Sequence, residues 1–419
     1  MSVPIRPAVF FGARLLDGRS PETVADGAVV TDERGRIVAA GSGPSAGAVA
    51  SRDADRIDVT GLTLLPGIVD CHVHLSLRLE PVAEQTQRSA TDLVVRALQT
   101  GRDFLEAGVT TIRDAGYTPS GIKRAFASGA FPGPRTQVSC TPLSQTGGHG
   151  DGWTPSGAVL ETDVSDLPPG IADGVDAVRR ATRLQIRAGA DWIKVMASGG
   201  VLSAADSPDA SQFTVDEIRA IVEEAKAAGI KGTFAHAEGT VGIKNALRAG
   251  ITSIEHGDLI DEEGIDLMLE CDVPLVPTFN INFALMDEER VARGEVPPWA
   301  VEKMRYLFDR QQANFRRALE RGVRIVMGTD SFNGMYPPTE LAYMSEFGMG
   351  PFRAIQAATC DAASLLGLGD VIGTLEAGKQ ADMIAVTGDP LTEPELWRDP
   401  ARVVLVVQGG RIVADRRGA

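Results

Sequence analysis

Short runs rich in Val and Ile alternate through the middle of the chain with stretches whose apolar residues recur every three or four positions. The first texture belongs to strands buried on both faces and the second to amphipathic helices, so the alternation predicts a parallel α/β barrel or a doubly wound sheet. Eight candidate strands fall at about 63–70, 109–113, 135–140, 191–196, 231–235, 252–255, 274–278 and 323–328. Eight favours the closed barrel. One helix has legible ends: Thr214-Val-Asp-Glu217 reads as a capping box, Ile218, Ile221, Val222 and Ala225 form its apolar stripe, and Gly229 stands where a terminating glycine is expected.

Both ends of the chain differ from the middle. Ala8–Leu16, Gly27–Thr31 and Ile37–Ala40 read as strands, the last two joined by the turn-forming Asp32-Glu-Arg-Gly-Arg36. Strand texture returns at Ala381–Val386, Val403–Gln408 and Arg411–Ala414, with Gly409-Gly410 suited to a two-residue hairpin. One small sheet assembled from both ends is expected. Gly147–Gly170 is a connection rich in Gly, Pro and Asp, too polar for the core, and reads as an active-site loop.

With 419 residues the chain exceeds the roughly 250 of such a barrel, which leaves room for the terminal layer. A net charge of -15 argues against nucleic acid and anionic membrane as partners, because both need a basic face to release counterions. No apolar run approaches the roughly 18 residues of a membrane span. Met1-Ser-Val-Pro-Ile-Arg-Pro7 lacks a charged-then-apolar leader, so a cytoplasmic location is expected. A small-molecule substrate is the expected partner and a homo-oligomer the expected assembly. Cys71, Cys140, Cys271 and Cys360 are far apart without CxxC pairing and read as buried thiols.

Histidine carries the chemistry. In a strand, residues i and i+2 share a face, so His72 and His74 can aim both imidazoles at one ion, with Cys71 pointing away. His236, His256 and Asp330 each directly follow an apolar strand, at the mouth where barrel enzymes keep their chemistry. Lys194 is a poor neighbour for divalent cations as an ammonium of pKa about 10.4. Carbamylated by CO2, it becomes an anionic two-oxygen ligand able to bridge ions about 3.5 to 4 Å apart. Singly, each histidine could be a packed structural residue; jointly, four histidines, a lysine and an aspartate at five strand ends argue for a metal site.

Pro66-Gly-Ile-Val-Asp-Cys-His-Val-His74, Ile193-Lys-Val-Met-Ala-Ser-Gly-Gly-Val201, Ser253-Ile-Glu-His-Gly257, Gly328-Thr-Asp330 and Ile372-Gly-Thr-Leu-Glu-Ala-Gly-Lys-Gln-Ala-Asp382 together resemble the amidohydrolase superfamily, of the binuclear type with a carbamylated lysine. Gly147-Gly-His-Gly-Asp151, Met196-Ala-Ser-Gly-Gly200 and Pro338-Thr-Glu-Leu341 are similar to the branch of metal-dependent Xaa-Pro and Xaa-Arg dipeptidases and imidazolonepropionase-like proteins. The resemblance implies a (β/α)8 TIM barrel over residues 63–370 and a β-sandwich made from 1–62 and 371–419. It also implies that His72, His74, Lys194 and Asp330 hold one ion and that Lys194, His236 and His256 hold a second, more exposed one. Zinc suits these ligands. A bridging hydroxide is then the expected nucleophile, Asp330 the general base, and the exposed ion the group that polarises the carbonyl.

His149, on a glycine-rich loop, is expected to touch the substrate carbonyl, and Tyr117 and Glu238 to line the substrate site. Dipeptidases of this branch often carry tyrosine where this chain has Glu238, a carboxylate that would repel a free substrate carboxylate and welcome a cation. Arg113 and Asp114 read as a structural ion pair, Asp70 as strand-end structure, Glu255 as a partner of His256 or of backbone donors, and Glu340 as a helix start. The expected reaction is cleavage of an amide-type C–N bond in a dipeptide or N-acyl amino acid. Carbamate, aryl-urea or lactone hydrolysis on the same site, a noncatalytic scaffold of the same fold, and a mononuclear deaminase are the rivals.

Overall fold

The structure is a computed structural model that describes residues 5–154, 156–160 and 164–418. Residues 1–4 of the N-terminal segment, and 155 and 161–163 of the expected active-site loop, lie outside the described residues. Five strands lead the chain: β1 (Ala8–Leu15), β2 (Val24–Thr31), β3 (Ile37–Ser42), β4 (Asp55–Asp58) and β5 (Leu62–Pro66). The middle holds β6 (Ile68–Val73), β7 (Val109–Asp114), β8 (Arg135–Val138), β9 (Trp192–Met196), β10 (Gly232–Ala237), β11 (Ser253–His256) and β12 (Leu275–Val276). The chain closes with β13 (Met383–Thr387), β14 (Val403–Gln408) and β15 (Arg411–Asp415).

Both ends meet in one sheet, ordered β15-β14-β13-β5-β1-β2-β3 with β4 beside β1. Its seam is β5, antiparallel to β13 and parallel to β1. Gly409 and Gly410 adopt φ of +54° and +78° between β14 and β15, the left-handed pair that a tight two-residue turn demands. Phe10, Leu15, Val29, Leu64, Met383 and Leu405 fill its own small core.

The middle strands run parallel in two sets, β6-β7-β8 and β9-β10-β11-β12. Isolated parallel bridges continue the pairing beyond both sets, Leu143 to Val195 on one side, and Leu275 to Ile325 with Ser331 to Val73 on the other. Helices cover the outside. The helix Val215–Ala227 opens on the expected capping box, with Thr214 Oγ1 accepting from the Glu217 N–H at 3.3 Å and Glu217 Oε2 from the Thr214 N–H at 2.8 Å. Gly229, φ +70°, follows its end.

Four expectations need correction. The strand expected at 63–70 is two strands in different sheets, because the chain crosses between them at Gly67. There the N–H donates to the Asp382 carbonyl at 2.9 Å, and a Cβ would lie 2.5 Å from Thr110 Oγ1. The strand at 274–278 shrinks to Leu275–Val276, since Pro274 and Pro277 have no N–H for a ladder. The run 323–328 forms no regular strand: Val326 donates to Leu275 O at 2.9 Å and Met327 O accepts from Cys71 at 3.0 Å, but the Met327 N–H turns outward to Ala357 O at 3.0 Å. Among the thiols, Cys71 and Cys140 are buried, Cys360 is half-buried and Cys271 is exposed, so the expectation of four buried thiols fails for the last. No helix among the described residues is long and apolar enough to cross a membrane.

Gly67→Ala is expected to lower stability by about 1–3 kcal/mol through overpacking against Thr110. The check is the thermal midpoint of Gly67→Ala alone and combined with Thr110→Ala, which recovers most of the loss.

Candidate metal centre

The ends of β6, β9, β10 and β11, with the run to Asp330, converge on one rim. His72 and His74 lie with ring centroids 5.5 Å apart, His256 sits 5.1 Å from His72 and 4.7 Å from His236, and His236 stacks on His149 at 4.1 Å. All five histidines of the chain thus form one continuous array. Asp330 Oδ1 lies 3.2 Å from His74 Nε2 and 3.6 Å from His72 Nε2, and Lys194 Nζ lies 3.4 Å from His72 Nε2.

The outer ring nitrogens decide which inner nitrogen carries a lone pair. His72 Nδ1–H donates to Glu255 Oε2 at 2.8 Å and His74 Nδ1–H to Gly116 O at 3.2 Å. Thr278 gives its hydroxyl proton to Pro277 O, so its oxygen accepts from His256 Nδ1–H at 2.7 Å. All three rings therefore keep Nε2 as the free lone pair, the tautomer a metal ligand requires. His236 differs, with Nε2 3.0 Å from Gly199 O.

The rim is strained where it carries these groups. Tyr117, Cys140, His256, Thr278 and Asp330 have φ of +67°, +60°, +71°, +56° and +51°, a left-handed geometry that side-chain-bearing residues rarely adopt. Each costs on the order of 1–3 kcal/mol and persists only where the surroundings dictate it. At Asp330 the surroundings are legible: the Thr329 and Asp330 N–H groups both converge on His72 O, at 3.1 and 2.7 Å.

Burial lowers Lys194 to about 8, so the neutral amine is accessible near neutral pH. Burial alone would raise the Asp330 carboxyl, but the His72 and His74 rings outweigh it and hold the group below the usual carboxylate range. Burial, and then the Asp258 and Asp206 charges, push Glu238 well up, and burial pushes Asp258 to about 8.

A cation fits this setting. Donor atoms of His72, His74 and Asp330 lie within 4.8 Å of one another, and buried Asp330 Oδ1 has no hydrogen-bond donor.

Other expected residues fall as follows. Glu255 serves His72 rather than His256, and its second oxygen accepts from Arg113 at 2.9 Å. Arg113 and Asp114 do not pair, because consecutive strand residues face opposite sides. Asp114 instead accepts from Leu75 N, Gly116 N and Thr118 Oγ1. Asp70 accepts from His72 N and Thr329 Oγ1, which shapes the strand end. Glu340 lies in the first turn of the helix Thr339–Met344 and also closes the start of the helix Phe279–Met286, accepting from Phe279 N and Asn280 N. Glu238 is buried, 3.7 Å from His236 Nε2 at the edge of the histidine array. His149 Nδ1 pairs with Ser203 Oγ at 2.8 Å. Tyr117 stands half-buried at the rim, its N–H donating to Cys140 O at 2.7 Å. Sequence reasoning missed Phe332, edge-on to His74, and the carboxylates Asp206 and Asp258. Only Asp258, two positions past His256, had a local signal.

The sequence matches the amidohydrolase family over residues 63–413, and the chain belongs to that family. It is similar to the ochratoxinase of Aspergillus niger, 38% identical over 367 residues, covering 83% of this chain and 75% of that one. Among solved structures it is similar to a Xaa-Pro dipeptidase with bound methionine in the active site, with 32% identity and a TM-score of 0.87 over 97% of this chain and 99% of that one. It is also similar to a prolidase complexed with N-methylphosphonate-L-proline, with 34% identity and a TM-score of 0.89 over 98% of this chain and 100% of the other. These structures imply a TIM-barrel fold for the α/β architecture described above. The protein is a metal-dependent hydrolase of amide-type C–N bonds, near the dipeptidase branch of its superfamily.

Arg113→Met keeps most of the side-chain volume but leaves Glu255 buried without its guanidinium. A loss of about 3–5 kcal/mol is expected, measurable as a fall in denaturation midpoint.

Proposed function

We propose that the protein hydrolyses the amide bond of dipeptides or N-acyl amino acids with the help of two divalent ions, zinc by preference. The observation that carries this reading is the trio His72, His74 and Asp330, whose donor atoms lie within 4.8 Å around a buried oxygen that lacks a donor. The substrate class is supported by the relatives, one named for its Xaa-Pro dipeptidase activity and another bound to a proline carrying a phosphonate on nitrogen. We also propose that the parallel strands close into one (β/α)8 barrel spanning 63–370, with residues 1–62 and 371–419 as a flanking β-sandwich. Support comes from the bridges that link the two parallel sets at both edges and from the sheet shared by the two ends.

In this reading His72, His74, Lys194 and Asp330 hold one ion, and Lys194, His236 and His256 the other, with Lys194 as its CO2-derived carbamate. Its lowered pKa supplies the neutral amine, whose lone pair attacks the CO2 carbon with release of one proton. When bound, the ions supply Lewis acidity and bring water's pKa towards 7. Asp330 accepts the proton of the attacking water and returns it to the leaving amine. His149 stands against the substrate carbonyl as a neutral ring, because burial pushes its pKa down to about 4. Its Nδ1–H is committed to Ser203 Oγ, whose own proton goes to Asp206. The deciding experiment is metal analysis of purified protein together with turnover of a mixed library of dipeptides, N-acyl amino acids and aryl carbamates. Turnover confined to the carbamates would overturn the substrate class.

Lys194→Ala is expected to lose metal and activity, with partial rescue by a short carboxylic acid that replaces the missing anion. Unchanged metal content and turnover would sink the two-ion reading. Asp330→Asn should fold and retain some metal while kcat falls at least about 100-fold; near-normal kcat places the base elsewhere.

A further inference from the structure

Next to the histidine array lie two buried carboxyl groups without a cationic partner. Glu238 and Asp258 are 5% and 3% exposed, yet Glu238 Oε2 and Asp258 Oδ1 each lack any hydrogen-bond donor. The chain fixes both side chains from the backbone. Glu238 N–H donates to Ser198 Oγ at 2.8 Å, Glu238 O accepts from Leu259 N at 2.9 Å, and Asp258 O accepts from Asn314 Nδ2 at 2.6 Å. The charges of Asp258 and Asp206 both bear on Glu238.

The nearby ammonium does not answer this demand. Lys303 Nζ gives its protons to Gly200 O, Ser203 O and Asp206 O at 3.0, 2.6 and 2.6 Å, so its charge is felt at Glu238 while its protons pin the loop. A buried carboxylate oxygen without a donor is costly, and two side by side point to a group that arrives from outside. Glu238 Oε1 lies 3.7 Å from His236 Nε2, so whatever enters sits beside the reacting centre.

We propose that Glu238 and Asp258 form a subsite for a primary ammonium group of the substrate, such as the free amino terminus of a dipeptide. The proposal rests on the amide-hydrolase reading for its kinetic consequence but not for binding. An ammonium has three donors for the two open oxygens and one further acceptor, and its charge offsets the pair. A neutral acylated nitrogen satisfies neither oxygen, and an anionic group is repelled. The subsite therefore selects unblocked dipeptides over N-acyl amino acids.

The test uses the metal-loaded protein. n-Butylammonium chloride is expected to raise the thermal midpoint above that in equal sodium chloride, and the rise is lost in Glu238→Gln and in Asp258→Asn. No rise with the unaltered protein overturns the subsite whether or not any amide is hydrolysed. Intact ammonium binding without amide turnover removes only the hydrolase reading. In kinetics, methionyl dipeptides are compared with their N-acetyl and N-succinyl forms. For Glu238→Gln, kcat/KM should fall about 10-fold or more on the free amine relative to the acetylated form, the loss of one charge-assisted hydrogen bond. Equal losses on all three, or loss of a metal equivalent in Glu238→Gln, would assign the carboxylate to the scaffold or to the ions instead.

Discussion

Glu255 is a fully buried carboxylate, and its charge has to be balanced inside the protein because no water reaches it. Removing such a charge from water costs several kcal/mol, recovered only if its lone pairs are filled by well-placed donors. Arg113, Ser253 and His72 fill them. Arg113 is equally buried, held over the Phe234 ring at 3.9 Å and the Trp192 ring at 4.8 Å, and it also donates to Cys71 O at 2.6 Å. One electrostatic knot therefore ties β6, β7 and β11 together across the interior, and its last bond sets the tautomer of a candidate metal ligand. Packing and chemistry meet at the same carboxylate.

The rim above this knot is made of backbone that would relax if left alone. Left-handed residues stand at or after four strand ends and the irregular run 323–328, a conformation that side-chain-bearing residues rarely adopt. Thr278 shows the cost most clearly, since a β-branched residue resists that conformation, yet its hydroxyl is the acceptor that orients His256. Strain at the rim is held in place by the regular strands and helices beneath it.

Beside the histidines an apolar cluster draws on loops and on the helices Phe279–Met286 and Pro298–Arg321: Leu79, Val201, Ile281, Val296, Met304 and Phe332 pack together, with Phe332 against His74. Apolar walls keep the dielectric low around Lys194, Asp330 and Glu238, which is why burial leads the causes acting on all three. In such surroundings a neutral lysine amine is accessible, a carboxylate among imidazoles stays ionised, and an unpaired carboxylate calls for a cation.

The alternation of strand and helix patterns, the capping box at Thr214, the glycine hairpin at 409–410 and the placement of histidines directly after apolar runs were all legible in the sequence. Each depends on spacing within a few residues, where backbone geometry alone dictates which side chains share a face or a turn. Tertiary structure decided the rest. That Gly67 divides one apparent strand between two sheets depends on Asp382 and Thr110, both remote in sequence. That Glu255 serves His72, that Arg113 leaves Asp114 for Glu255, and that Glu238 and Asp258 share a pocket beside His236 follow from which strand ends meet on the rim. Local pattern determines which residue types stand ready at the end of each strand. Only the arrangement of strands around the interior decides which of them share a charge, because the cost of a buried charge is set by partners that arrive from distant parts of the chain.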